Sequence, residues 1–259
     1  MIAPEAFATR LRTALALAVL PPAIVAIGTS AIALALAGVP NARIHRLYVL
    51  FARLCMRVGG TRLLVRGEER IVPGSAYVVV ANHESNWDSP TVVAALPRLV
   101  IRFVAKQEIM RIPIFGHALR ATGNIRVLRK QTQGDVARIQ AVMERRDPEV
   151  SILFFAEGTR SPDGALHPFK MGAFATALGH GLPVLPVGIA GTRPIWPKGM
   201  LRVRRGTVAL EVGEPIPVDG LVPEGRAALR DRTHAAVASL RARARQRLRE
   251  AGCDPGGVD

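Results

Sequence analysis

Between Arg12 and Arg43 the chain carries no charged residue. That stretch, Thr13 to Ala42, is long enough to cross a hydrocarbon core of about 30 Å at about 1.5 Å per helical residue, and it reads as a membrane segment. Pro21-Pro22 interrupts it. The interruption predicts a short leading piece and a longer one from Ala23 to Ala37, arranged as one kinked span or as a hairpin that dips into one leaflet. A cleaved signal peptide is the rival reading, but its apolar region usually runs only about 7 to 15 residues. Arg10 and Arg12 precede the segment, and Arg43, Arg46, Arg53 and Arg57 follow it. The positive-inside rule then places the downstream domain at the cytoplasmic face of the cell (inner) membrane. Ile44 to Val58 continues as an amphipathic helix. Leu47, Tyr48, Phe51, Leu54 and Cys55 lie on one side and the arginines on the other, a pattern that suits a membrane interface or a protein core.

The remainder cannot be a disordered chain, because 49% of the 259 residues are hydrophobic and one full core can be buried. A formal net charge of +15 implies attraction to something anionic, a phospholipid surface or nucleic acid. Cys55 and Cys253 are the only cysteines. They lack ligand spacing, so neither a disulfide framework nor a zinc site is indicated, and no metal is expected. After Gly59-Gly60, β-rich runs at Arg62–Val65, Ala76–Ala81, Leu99–Val104, Ile125–Leu128, Ser151–Phe155, Val184–Ile189 and Thr207–Val212 alternate with helical stretches. The helices are expected at Asp88–Leu96, Gln107–Leu119, Asp135–Arg146 and Phe169–Leu178. This rhythm predicts an α/β fold, an αβα sandwich around a largely parallel central sheet, preceded by an N-terminal membrane-associated helical segment. The organisation is then an anchor and interfacial helix over 1–58, a central domain over 59–222, and a basic C-terminal helix and tail over 223–259. In the C-terminal helix Leu229, Val237, Leu240 and Leu248 form one stripe, and the arginines elsewhere read as a solvated face or a contact for phospholipid or nucleic acid.

Two constellations carry chemistry. Asn82-His83-Glu84-Ser85-Asn86-Trp87-Asp88 follows a buried strand and precedes a helix start at Ser89-Pro90. Residues i and i+5 lie on different faces of a helix, so His83 and Asp88 can meet only if the chain turns between them. A carboxylate there would fix the tautomer of an imidazole, a group that titrates near working pH and can act as general base. The bland alternative makes Asp88 a helix cap and His83 a surface residue. Phe155-Ala156-Glu157-Gly158-Thr159-Arg160-Ser161 follows a second buried strand and runs into the turn Ser161-Pro162-Asp163-Gly164. Glycine admits close approach of the backbone, threonine brings a hydroxyl and arginine a planar fork of donors, which together suit a phosphate monoester. A turn with a surface ion pair is the plainer reading.

With Gly123-Asn124-Ile125-Arg126-Val127-Leu128-Arg129 and the apolar Leu182-Pro183-Val184-Leu185-Pro186-Val187, these blocks resemble, in order, the glycerolipid acyltransferase family typified by bacterial 1-acylglycerol-3-phosphate acyltransferases. Lys106-Gln107-Glu108, Ile112 to Gly116, Phe169 to Ala173 and Gly213 to Ile216 add to the likeness, which covers roughly residues 60 to 217. Ala156 departs from it, standing where the family has proline. The resemblance implies that His83 is the base and Asp88 its orienting partner, and that Arg129, Glu157, Gly158, Thr159, Arg160 and, more weakly, Arg126 bind the acceptor phosphate. It implies transfer of a fatty acyl group from acyl-CoA or acyl carrier protein, as co-substrate and without a cofactor, to a lysophospholipid. The acceptor would be 1-acylglycerol-3-phosphate, giving phosphatidic acid, or another lysolipid such as one bearing an amino acid. Trp87, Ile112, Ile114 and Phe115 would line the acyl site, with core packing as the alternative. The partners are then a membrane phospholipid surface, both substrates and acyl carrier protein, with no nucleic acid. Two rival functions are a lipid hydrolase using Ser85 or Ser89 beside His83, and a non-catalytic binder using the basic C-terminal helix.

Overall fold

A computed structural model describes residues 4–128, 132–197 and 199–256. Seven strands, β1 (Thr61–Arg66), β2 (Val78–Ala81), β3 (Ile101–Lys106), β4 (Ile125–Val127), β5 (Ser151–Phe155), β6 (Val184–Ala190) and β7 (Gly206–Val212), form one sheet. Their order across it is β1-β7-β6-β2-β5-β3-β4. The five strands β2 to β6 run parallel to one another. β7 is antiparallel to β6, and β1 lies parallel to β7 at the edge. All seven strands read from the sequence are present, their ends moved by about two residues at most.

The central strands are apolar at every position because both faces of the sheet are covered. Val79, Ala81, Leu153, Leu185 and Val187 face a layer made by α1 (Pro4–Leu36), α2 (Asn41–Gly59) and α3 (Asp88–Ala95). Val78, Val80, Ile152, Phe154 and Val184 face α6 (Thr132–Glu144), α7 (Gly172–Gly179) and α8 (Arg226–Glu250). The result is the αβα sandwich expected from the alternation of elements.

Three elements depart from the sequence reading. The N-terminal helix does not divide at the prolines: α1 runs continuously through Pro21 and Pro22, about 50 Å in length. It pairs with α2, reached by a turn at residues 37–40, so the reversal falls near the end of the uncharged stretch and not at Pro21-Pro22. An isolated helix would be destabilised by two adjacent prolines, but α1 is seated on the domain through buried Ala16, Leu20 and Ala31. The expected helix Gln107–Leu119 is split into α4 (Gln107–Met110) and α5 (Phe115–Ala121). Pro113 disfavours helical backbone at Ile112 and has no N–H to donate. Ile114 then adopts φ 61° and the Phe115 N–H donates to the Pro113 carbonyl at 2.6 Å, a strained γ-turn that faces Gly28 of α1. On α8 the Leu229, Val237, Leu240 and Leu248 stripe is buried against the sheet as its spacing predicts, but Arg241 and Arg245 are buried too.

The entry to the sheet from α2 is sterically exacting. Gly60 takes φ 60° and returns its N–H to the Arg57 and Met56 carbonyls, which stops the helix. A Cβ on Gly59 would stand 2.4 Å from Trp87 Cζ2, so the two elements touch through a missing side chain. Gly59→Ala is therefore expected to lower stability by about 1 to 3 kcal/mol through overpacking against Trp87, measured by chemical denaturation.

Candidate active site

The two motif loops meet because β2 and β5 are parallel neighbours in register, with Ala81 opposite Phe155. Their carboxyl ends lie at one edge of the sheet, where open α/β folds place their sites. Asn82 anchors the first loop: its amide oxygen accepts the Ile189 N–H at 2.8 Å and its amide nitrogen donates to the Ile189 carbonyl at 2.9 Å. A side chain thus pairs with β6 as a strand residue would. The loops are then joined directly, the Ser161 N–H donating to the His83 carbonyl at 2.7 Å.

The turn between His83 and Asp88 brings them together. His83 Nδ1 lies 2.7 Å from Asp88 Oδ2. The same oxygen accepts the Glu84 and Ser85 N–H groups at 2.7 and 2.8 Å, and Oδ1 accepts the Thr192 hydroxyl. Asp88 is 1% exposed and every bond it accepts points inward. Because the carboxylate is an acceptor, Nδ1 carries the proton and donates it, leaving Nε2 as the basic nitrogen. The His83 ring stacks on Phe155, with centroids 4.0 Å apart and planes 14° from parallel. Nε2 has no hydrogen-bond partner among the described residues. Orientation, tautomer and ring plane are therefore all set by neighbours, while the reactive nitrogen stays open.

Both oxygens of Glu157 are engaged by backbone N–H groups. Its Oε1 accepts the His83 N–H at 2.7 Å and its Oε2 the His167 N–H at 3.1 Å, so one carboxylate staples the backbone on both sides of the edge. Burial pushes its pKa up to about 7, against the pull of those two N–H groups. Gly158, at φ 75°, turns the chain beside the Lys170 side chain, and its N–H donates to the Phe155 carbonyl at 2.9 Å. With Ala156 in the loop, the turn is also held by its carbonyl, which accepts the Lys170 N–H at 2.8 Å. Arg160 donates to the Asn86 amide oxygen, linking the second motif to the first.

A cavity of about 850 Å³ opens at His83. Trp87, Phe155, Asn86, Thr159 and Arg160, from the two motif loops, line it, and Lys106 and Arg202 are further cations in its wall. Leu20, Ile24 and Ile27 of α1, Phe51 and Cys55 of α2 and Phe115 and Leu119 of α5 line the remainder, which is apolar. Of the residues read as acyl-lining, Trp87 and Phe115 border the cavity. Ile112 is 46% exposed and Ile114 is turned to α1, and neither borders it. Glu157, Gly158 and Arg126 also lie outside the lining, Arg126 because it alternates outward between buried Ile125 and Val127. Arg129 lies outside the described residues. No group of metal-ligating side chains occurs among the described residues.

The residues read as nucleophiles for hydrolysis are differently engaged. Ser85 is fully buried and its hydroxyl donates to the Trp196 carbonyl at 2.7 Å, while Ser89 borders the cavity. Burial pushes the Cys55 thiol up to about 12, which keeps it protonated where it meets the cavity. Thr192 and Arg241 were invisible to the sequence reading, since each bonds to the first motif loop from more than a hundred residues away, and Arg202 because it borders the cavity from a segment that carries no motif. Glu84 lay inside the motif but no spacing rule marked its side chain.

A family model described as "Acyltransferase" matches residues 62–190. Human 1-acyl-sn-glycerol-3-phosphate acyltransferase alpha is 32% identical over 196 residues, spanning 75% of this chain and 68% of its own length. The chloroplastic 1-acyl-sn-glycerol-3-phosphate acyltransferase BAT2 of Brassica napus is 36% identical over 140 residues, 54% of this chain and 40% of that one. The crystal structure of the 1-acyl-sn-glycerophosphate (LPA) acyltransferase PlsC from Thermotoga maritima superposes with a TM-score of 0.74 at 26% identity, covering 90% of this chain and 96% of that one.

The raised value of Glu157 makes a stability prediction. Its folded pKa of about 7 exceeds the ordinary 4.5, so its contribution to stability is complete below about 4.5 and is lost as pH rises through about 7. Thermal unfolding of the wild type should weaken across that window relative to Glu157→Gln, which cannot ionise; parallel pH curves for the two would show that the carboxyl is not buried as described.

Proposed function

The chain belongs to the acyltransferase family, and from that premise we propose that it transfers a fatty acyl group from a thioester to the free hydroxyl of 1-acylglycerol-3-phosphate, giving phosphatidic acid. The observation that carries this reading is His83, held through Nδ1 by Asp88, on a largely apolar cavity that Arg160 also borders. In the reaction Nε2 accepts the proton of the acceptor hydroxyl as its oxygen attacks the thioester carbonyl. The imidazolium that forms is stabilised by Asp88. The tetrahedral intermediate collapses by breaking the carbon–sulfur bond, and the thiolate takes the proton back from Nε2, leaving ester, thiol and the original histidine. No acyl-enzyme is needed.

Arg160, with Lys106 and Arg202, supplies positive charge for the acceptor phosphate, and the relatives' names support a glycerol phosphate acceptor. The donor is acyl-CoA or acyl carrier protein, and either brings its thioester to the polar end of the cavity. The acyl chain lies in the apolar part. The long helix supports membrane association: α1 is uncharged from Thr13 to Leu36, and Phe7, Leu11, Leu15, Val25 and Leu36 are exposed on its outer side. Because α1 packs along α2 and α5, the reading is of a helix immersed sideways in one leaflet, at the cytoplasmic face indicated by its flanking arginines. The lysolipid then reaches the cavity from the bilayer and the donor reaches it from water.

The test is transfer of labelled acyl groups from acyl-CoA, and separately from acyl carrier protein, to a panel of lysolipids presented in mixed micelles. Esterification of lysophosphatidic acid is expected, with kcat falling by about 10³ in His83→Ala. Arg160→Ala should raise the acceptor KM by about tenfold with a smaller change in kcat, as removal of a phosphate contact requires. Release of free fatty acid in place of ester, or preference for an acceptor without phosphate, would overturn the assignment.

A further inference from the structure

Arg241 lies on α8, in the layer on the far side of the sheet from the cavity wall made by α1 and α2. It reaches the motif loops because the helix comes unusually close to β6. At Gly188 an added Cβ would stand 2.3 Å from the Arg241 backbone nitrogen, so only glycine permits the approach. From there the buried Arg241 side chain extends to the sheet edge. Its Nε–H donates to Glu84 Oε1 at 2.7 Å and its Nη2 donates to the Gly164 carbonyl.

Those two acceptors belong to the two motif loops. Glu84 sits between His83 and Asp88; its N–H donates to Asp88, and its Oε1 also accepts from Asn82. Gly164 closes the turn that starts at Ser161, whose N–H holds the His83 carbonyl. We propose that Arg241 is a positioning residue for catalysis, its planar guanidinium clamping Glu84 and the Gly164 carbonyl so that His83 is held against Asp88. The inference rests on the reading of His83 as the base. Glu84 is 2% exposed, and its Oε2 has no hydrogen-bond partner among the described residues. Burial raises its pKa and the Arg241 charge opposes the rise, so the carboxylate depends on this arginine. Lysine would supply charge but not a fork aimed at two acceptors in one plane.

The test compares the full-length wild type with Arg241→Met, Arg241→Lys, Glu84→Gln and Glu84→Gln/Arg241→Met, and with Leu229→Ala as a helix-destabilising control away from the loops. Arg241→Met should lower kcat by about tenfold while both KM values stay within about twofold, Arg241→Lys should recover part of the loss, and the double variant should be more active than Arg241→Met alone. Leu229→Ala should lower Tm without this loss of kcat. The downfield proton signal of the His83–Asp88 bond, observed by NMR independently of turnover, should be sharp in the wild type and broadened in Arg241→Met. If Arg241→Met merely lowers Tm as Leu229→Ala does, keeping kcat and the signal, the inference is wrong. If the wild type transfers no acyl group, the proposed function fails, and the clamp of Arg241 on the His83–Asp88 pair is then judged by the signal alone: broadening in Arg241→Met supports it and an unchanged signal overturns it.

Discussion

The structure depends on two parallel strands that end side by side. Once β2 and β5 pair with Ala81 opposite Phe155, both chains leave the sheet at one edge, and their backbone groups pass from a regular ladder into irregular loops. Buried N–H and carbonyl groups still need partners there. Side chains supply them: the Asn82 amide on β6, the Glu157 carboxylate on two N–H groups, and the Asp88 carboxylate on two more. The order of the candidate site is a consequence of this accounting. His83 has little freedom because almost everything around it is already bonded to something else.

The same edge is where two environments meet. Above the sheet, α1, α2 and α5 pack together yet leave a cavity walled by their apolar side chains and bordered by His83, Arg160, Lys106 and Arg202. Filling this space with side chains would make a larger core. The fold instead keeps an apolar-walled volume beside an imidazole and several cations, a combination suited to a ligand with an oily chain and a charged group.

The basic composition has a structural component that net charge conceals. Arg102 is 1% exposed and donates to the Thr122 and Ile101 carbonyls and to Asn41, whose amide in turn donates to Asp147 at 2.6 Å. Burial, helped by the Arg102 charge, pushes His45 down to about 4, so that buried ring stays neutral. Arg241 joins α8 to the loops. These arginines act as long, multiply bonded struts between elements, a use for which guanidinium is better shaped than ammonium.

His83 and Asp88 were legible in the sequence because they are only five residues apart and can be joined only by a turn, which the intervening residues supply. The strands were legible as apolar runs between helix signals, and the family resemblance as an ordered set of short blocks. The bonding of Glu157 was not: no local spacing shows that a carboxylate next to glycine and arginine accepts the His83 and His167 N–H groups. The sequence by itself determined the alternating α/β elements, the long uncharged stretch and the local meeting of imidazole and carboxylate, since each depends on periodicity or on neighbours along the chain. Only the tertiary structure decided that α1 runs unbroken over its prolines and walls a cavity, that Arg160 rather than Arg126 borders it, and that an arginine at 241 braces a glutamate at 84. Those outcomes follow from packing between distant segments, and burial, which makes each such contact matter, exists only once the sheet and its two layers have closed.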